Sequence, residues 1–131
     1  MFGKPHWGTY AWGFLESVAL TYPSNPTQQT KMEYKEFFLS LQNILPCPKC
    51  REHYKENLRK YNLNDALEDR DSLVKWVIDV HNSVNASNGK RVLSYDEARK
   101  RIEGKFVFDV KYVIGLGVVL GALYYLSRKL K

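Results

Sequence analysis

The sequence predicts an all-α fold on three observations. Apolar residues recur at three- and four-residue steps in three long stretches. Proline, glycine and capping residues fall between those stretches. No run of period-two alternation is long enough to make a strand, and no internal repeat is present. With 131 residues, 44% hydrophobic and 26% charged, the chain can bury a single core and has none of the composition of a disordered segment.

The first stripe comprises Trp7, Ala11, Phe14, Leu15, Val18, Ala19 and Tyr22, and Pro23 and Pro26 end it. A second helix is expected from about Thr27, with Tyr34, Phe37, Phe38, Leu41, Ile44 and Leu45 on its apolar face and Pro46 as its stop. A third should run from about Cys47 to Lys60. Polar, acidic residues 62–70 make a connection with room for a short helical turn at Leu63 to Leu67. Asp71 and Ser72 are candidate caps for the next helix, whose face reads Leu73, Trp76, Val77, Val80, His81 and Val84 before Asn85, Asn88 and Gly89 close it. Ser94 and Glu97 have capping-box spacing and should open a short last helix through Tyr95, Ala98 and Ile102.

The chemistry concentrates in Pro46-Cys47-Pro48-Lys49-Cys50-Arg51-Glu52-His53, which holds both cysteines. Cys47 at a helix start lies near backbone N–H groups without intrahelical partners, a setting that favours thiolate. The C-x-x-C spacing lets the two sulfurs bond, so a redox-active dithiol is the sharp reading. A Cys2His2 zinc site from Cys47, Cys50, His53 and His81 is the main alternative, although no second close ligand pair exists. An inert buried pair is the other. Thioredoxin would need strands around the motif, and these flanks are helical.

The net charge of +6 and pI near 9.3 arise from basic residues interleaved with acids, which reads as solvated surface and gives no reason to expect nucleic acid as a partner. No secretory signal is evident, so the catalytic part is expected on the cytosolic side, where two cysteines indicate catalysis or metal before structural bridging. Tyr112 to Leu126 is fifteen residues without a charge, flanked by Lys111 and Arg128, with tyrosines at both ends. It is expected to be a single-pass C-terminal transmembrane anchor, with a buried core helix as the alternative, which divides the chain into a domain at 1–105 and an anchor at 106–131. Gly117 and Gly121 have a spacing that lets such helices pack closely.

Three stretches stand in register: His6-Trp7-Gly8-x-x-x-Trp12-x-x-Leu15 with Tyr22-Pro23, the Cys47/Cys50 pair, and His81-Asn82-x-Val84-Asn85-x-x-x-Gly89-Lys90. Over about residues 6 to 103 they resemble the Erv/ALR family of FAD-linked sulfhydryl oxidases, most of all its virus-encoded members. The resemblance implies a four-helix bundle plus a short fifth helix enclosing FAD, usually as a homodimer. It also implies a reaction: a protein dithiol is oxidised to a disulfide, electrons pass through the Cys-x-x-Cys pair to flavin and then to oxygen, and hydrogen peroxide forms.

By motif position Cys50 is then the flavin-proximal sulfur and Cys47 the one that exchanges with substrate. Gly8, Trp12, Glu16, His53, His81, Asn82, Val84, Asn85 and Lys90 are the expected cofactor-binding positions, and no metal is expected. Glu16 departs from the family, which usually has histidine after the leucine, and Tyr95 stands as a substitute for a tryptophan that commonly helps close the site. No shuttle cysteine pair is present. A separate small dithiol protein, thioredoxin-like in kind, is therefore the expected partner, docking on a face made basic by Lys49, Arg51 and Lys55. A virus-encoded member would act in the host cell or the virion.

Overall fold

The structure is a computed structural model that describes residues 7–129, except for the side chains of 105–111. The helices are α1 (Trp7–Leu20), α2 (Gln28–Ile44), α3 (Pro48–Lys60), α4 (Leu63–Ala66), α5 (Arg70–Ser87) and α6 (Tyr95–Lys129), and no strand occurs among the described residues. Helices α1, α2, α3 and α5 form the bundle: α1 packs on α5, α2 on α3, and α3 on α5. The first turns of α6 close against α1 and α5, and α4 sits on α5.

Helices α2 to α6 begin where a side chain takes up an orphan backbone N–H. Thr27 Oγ1 accepts from Thr30 N, and Cys47 Sγ accepts from Cys50 N behind Pro48 in the first turn. The start of α5 differs from expectation: Asp69, not Asp71 or Ser72, is the cap, its carboxylate accepting from Ser72 N at 2.8 Å. Its extended φ of −156° suits a cap, whereas Asp71 is already inside the helix. The Ser94/Glu97 capping box forms as expected, with Ser94 N donating to Glu97 Oε2 and Glu97 N donating to Ser94 Oγ.

The core gathers Tyr22, Phe38, Leu73, Val74, Val77 and Val80, all essentially without exposure. Phe38 and Trp76 meet edge to face at 5.3 Å, which joins α2 to α5. Buried polar tips are satisfied by backbone: Tyr22 Oη donates to Leu67 O, Tyr54 Oη to Phe38 O, and Trp76 Nε1 to Tyr61 O. Arg70 Nε donates to Tyr22 O at 2.6 Å, so the end of α1 is held from two sides.

Two expectations about the C-terminal part are corrected. The last helix is not short: α6 is 35 residues and runs through residue 105, the expected domain boundary. Among the described residues no helix is long and apolar enough to cross a membrane, so the expected transmembrane anchor is not supported. The physical reason lies in length, since fifteen uncharged residues rise only about 22 Å as a helix while the hydrocarbon layer is about 30 Å thick. Residues from Tyr112 to Leu126 nevertheless project their side chains into the open, Val113 at 73% exposure. His6 and Lys131, and the Lys111 side chain, lie outside the described residues.

Candidate active site

The disulfide sits where α2 turns into α3. Pro46 ends α2, Cys47 adopts an extended conformation (φ −108°, ψ 119°), and Pro48 begins α3, so the turn brings Cys47 and Cys50 to a Cα separation of 5.1 Å and their sulfurs are bonded. Arg51 Nη1 donates to Leu45 O at 2.6 Å and ties α3 back across this turn. Lys55 is paired with Glu52 at 2.9 Å. Arg51 and Lys55 are therefore engaged with their own helix corner, and Lys49 is the exposed cation of the expected basic face.

Facing the disulfide is a cavity of about 610 Å³ between α1, α3, α5 and the start of α6. Of the residues singled out from sequence, Gly8, Trp12, Cys47, Cys50, His53, His81, Val84, Asn85 and Lys90 line it together. Trp12 and His81 stack face to face, ring centres 4.1 Å apart and planes 5° from parallel. His81 and Asn85 are one turn apart on α5 and so reach the same wall. A Cβ added at Gly8 would meet no protein atom within 4 Å, so the glycine leaves room beside the cavity.

Lys90 reaches the rim through the end of α5. Gly89 has φ +64°, a conformation costly for any residue with a Cβ, and Lys90 N donates to Asn85 O while Gly89 N donates to Ala86 O. This turn reverses the chain so that Lys90 and Arg91 border the opening. Asn82 stands apart from the cavity wall: its amide donates to Leu93 O at 2.8 Å and accepts from Leu93 N at 3.1 Å, pinning the returning strand of chain. Glu16 also stands behind the wall, buried at 7% exposure, with Oε1 3.0 Å from His81 Nδ1. Tyr95, the substitute for a closing tryptophan, does not line the cavity either, and its hydroxyl accepts from Arg99.

Arg91 and Arg101, not singled out from sequence, also line the cavity, as do Trp7 and Lys49, which the sequence places in the first stripe and on the docking face and not among the cofactor positions. Trp7 belongs to the first apolar stripe and stands beside Gly8 in the His6-Trp7-Gly8 motif, a signal that was available. Arg91 and Arg101 come from a loop and from the exposed side of α6, and no local pattern separates them from surface charge. Together with Lys49 and Lys90 they put four cations around one pocket.

Such a lining fits FAD: parallel aromatic rings suit flat ring systems, cations suit a diphosphate, and a disulfide on the wall suits electron exchange. Zinc is less well served, since the two sulfurs are bonded to each other and no His/Cys/Asp/Glu group able to hold a metal ion occurs among the described residues.

A helical bundle with a C-x-x-C disulfide on the wall of a flavin-sized cavity defines a class of dithiol-flavin proteins. Residues 9–103 match the family model described as the Erv1 / Alr family, and the chain belongs to that family. It is 51% identical over 98 residues to a probable FAD-linked sulfhydryl oxidase of Acanthamoeba polyphaga mimivirus, covering 74% of this chain and 68% of that protein. It is 36% identical over 98 residues to the FAD-linked sulfhydryl oxidase of Arabidopsis thaliana, covering 75% of this chain and 50% of the relative, so it spans only half of the plant protein's length. The crystal structure of the FAD binding domain of Erv1 from Saccharomyces cerevisiae superposes with a TM-score of 0.72 at 30% identity, over 79% of this chain and 97% of that one.

Proposed function

We propose that this protein is an FAD-dependent thiol oxidase that makes disulfide bonds in protein dithiols. The observation that carries it is the disulfide Cys47–Cys50 on the wall of the cavity where Trp12 and His81 stack. A substrate thiolate attacks Cys47 Sγ, the Cys47–Cys50 bond breaks, and Cys50 leaves as thiolate; the second substrate thiol then displaces Cys47, which releases a substrate disulfide and leaves the enzyme pair reduced by two electrons. FAD bound in the cavity would supply the two-electron acceptor for this reduced pair and the route to oxygen that yields hydrogen peroxide. Trp12, His81 and Asn85 would hold its ring systems, and Lys49, Lys90, Arg91 and Arg101 its diphosphate. Cys47 is assigned to exchange because it stands in a turn whose neighbours Pro46, Pro48 and Lys49 are exposed.

The finer features belong to the same reading. Tyr10 and Phe14 on α1 are 78% and 59% exposed, and Phe14 meets Phe37 of α2 edge to face, an outward aromatic patch that suits a homodimer contact. A small dithiol protein, thioredoxin-like in kind, is the substrate proposed for the Cys47 end, where Lys49 is exposed. The exposed apolar arm at 112–126, with Arg128 and Lys129 after it, suits association with one face of a lipid layer without a complete span. The decisive experiment is an absorption spectrum of the purified chain with oxygen uptake on adding a dithiol. A flavin spectrum and dithiol-dependent oxygen consumption are expected; a folded preparation that takes up no FAD overturns the proposal.

A further inference from the structure

Glu16 is a carboxylate at a buried position, and the structure gives it a specific neighbour. Its Oε1 lies 3.0 Å from His81 Nδ1, while the face of the same imidazole is covered by Trp12. Trp12 and Glu16 are four residues apart on α1 and so rise from one face of that helix, both directed at a ring carried by α5. One holds the plane of the imidazole and the other holds its edge.

We propose that Glu16 is a positioning residue, which keeps the proton of His81 on Nδ1 and leaves Nε2 as the ring nitrogen offered to the cofactor; the inference rests on the oxidase reading above. A carboxylate accepts hydrogen bonds and does not donate them, so with Glu16 as carboxylate a bond at this separation places the proton on Nδ1. The remaining nitrogen is on the opposite edge of the ring, and His81 is part of the cavity wall whereas Glu16 is not. The behaviour is that of carboxylates that orient ligating histidines from behind, where loss of the carboxylate commonly costs 10- to 100-fold in affinity. The ligand chemistry that matches Nε2 of the Nδ1–H tautomer is a hydrogen-bond donor such as an aromatic amine or imide N–H, and FAD offers both.

The test uses the full chain labelled with ¹⁵N-histidine, with His81→Gln supplying the assignment. Long-range ¹H–¹⁵N correlation should find His81 protonated at Nδ1 in the wild type, and Glu16→Leu should move the proton to Nε2. Reconstitution with FAD and with FMN gives the second readout, with circular dichroism confirming that the variant is folded. FAD affinity should fall about tenfold in Glu16→Leu and recover in Glu16→Asp; a loss confined to FAD places the contact at the adenine side, and a loss shared with FMN places it at the flavin ring. An Nε2–H tautomer in the wild type, or unchanged FAD affinity in a folded Glu16→Leu, overturns the inference while the oxidase reading stands. A wild type that binds no FAD removes both. If Glu16→Leu does not fold, the wild-type tautomer together with Glu16→Ala, which removes the acceptor without adding bulk, decides the matter: equal affinity and an unchanged tautomer in Glu16→Ala would overturn the inference.

Discussion

The indole of Trp12 and the imidazole of His81 lie parallel, 4.1 Å apart, although they are carried by different helices and separated by most of the domain. Neither ring would be held so flat by its own helix. The contact fixes α1 against α5 at the point where both border the cavity.

Trp12→Ala should therefore weaken FAD binding more than it weakens the fold. An aromatic pair contributes about 0.5–1.5 kcal/mol beyond area burial, and loss of a stacking surface for the cofactor adds to that. An affinity loss of at least about tenfold is expected, measured by flavin fluorescence on titrating the stripped protein. Equal binding by a folded Trp12→Ala would show that the indole only packs.

Cys50→Ser, offered the substrate in its disulfide form, should hold it on Cys47: the Cys47 thiolate attacks the substrate disulfide, one substrate sulfur leaves as thiolate, and the mixed disulfide persists because no second enzyme sulfur can resolve it. Cys47→Ser should trap none. Mass spectrometry of the adduct, which should vanish on reduction, checks the assignment, and trapping by the Cys47 variant instead would reverse the roles.

Asp69 caps α5, and its carboxyl is held below 3.8 chiefly by the hydrogen bond from Ser72 N. Asp69→Ala should cost about 1 kcal/mol, a Tm lower by about 4 °C for a domain of this size. Because the folded-state value is depressed, the stabilisation is present above the unfolded carboxyl range and lost as pH falls through the folded value. The Tm gap between wild type and variant should thus be full at pH 6, begin to narrow below about pH 4, and close only as pH falls through the folded value. A gap of equal width at both pH values would place the effect elsewhere.

Tyr54 lies at 5% exposure with its hydroxyl on Phe38 O, and burial pushes its phenol well above the ordinary value of 10.0. Tyr54→Phe should cost about 1 kcal/mol at neutral pH through the lost hydrogen bond. A raised folded-state value means that wild-type stability is intact below the unfolded phenol range and declines as pH rises past about 10. The variant lacks that titration, so the two denaturation midpoints should converge in alkali.

Deleting residues 112–131 should abolish flotation of the protein with anionic vesicles and leave the flavin spectrum unchanged, since the cavity is built from residues up to Arg101. If full-length and shortened proteins both remain with the unbound fraction, lipid is not what the arm meets.

Much of this was legible because the controlling interactions are local. Thr27, the Ser94/Glu97 box and Pro46 mark helix ends within a few residues of themselves, and Trp12, Cys47 and His81 sit in spaced motifs. The start of α5 was misplaced by two residues because Asp69 and Asp71 are equally good caps by chemistry, and only backbone conformation separates them. Arg101 was invisible as a cavity residue because its place depends on how α6 packs on α1 and α5. The continuation of α6 past residue 105 was missed for a different reason: charged and apolar residues alike sustain a helix, so the change from polar to apolar composition marked a change of surroundings and not an end of structure.

The cap of α3 gives the redox pair a direction. Cys47 Sγ accepts the Cys50 N–H at 3.2 Å, at the end of a helix where backbone N–H groups concentrate positive potential. A sulfur that gains negative charge there is welcomed by the backbone, whereas the bonded sulfur is nearly neutral and gains little. The corner between α2 and α3 thus favours arrival of an electron pair over its retention by the substrate, in the way that a stabilised reduced form makes a disulfide a stronger oxidant. The downhill slope from an outside thiol into this protein is set in part by main-chain amides that no side-chain substitution can remove.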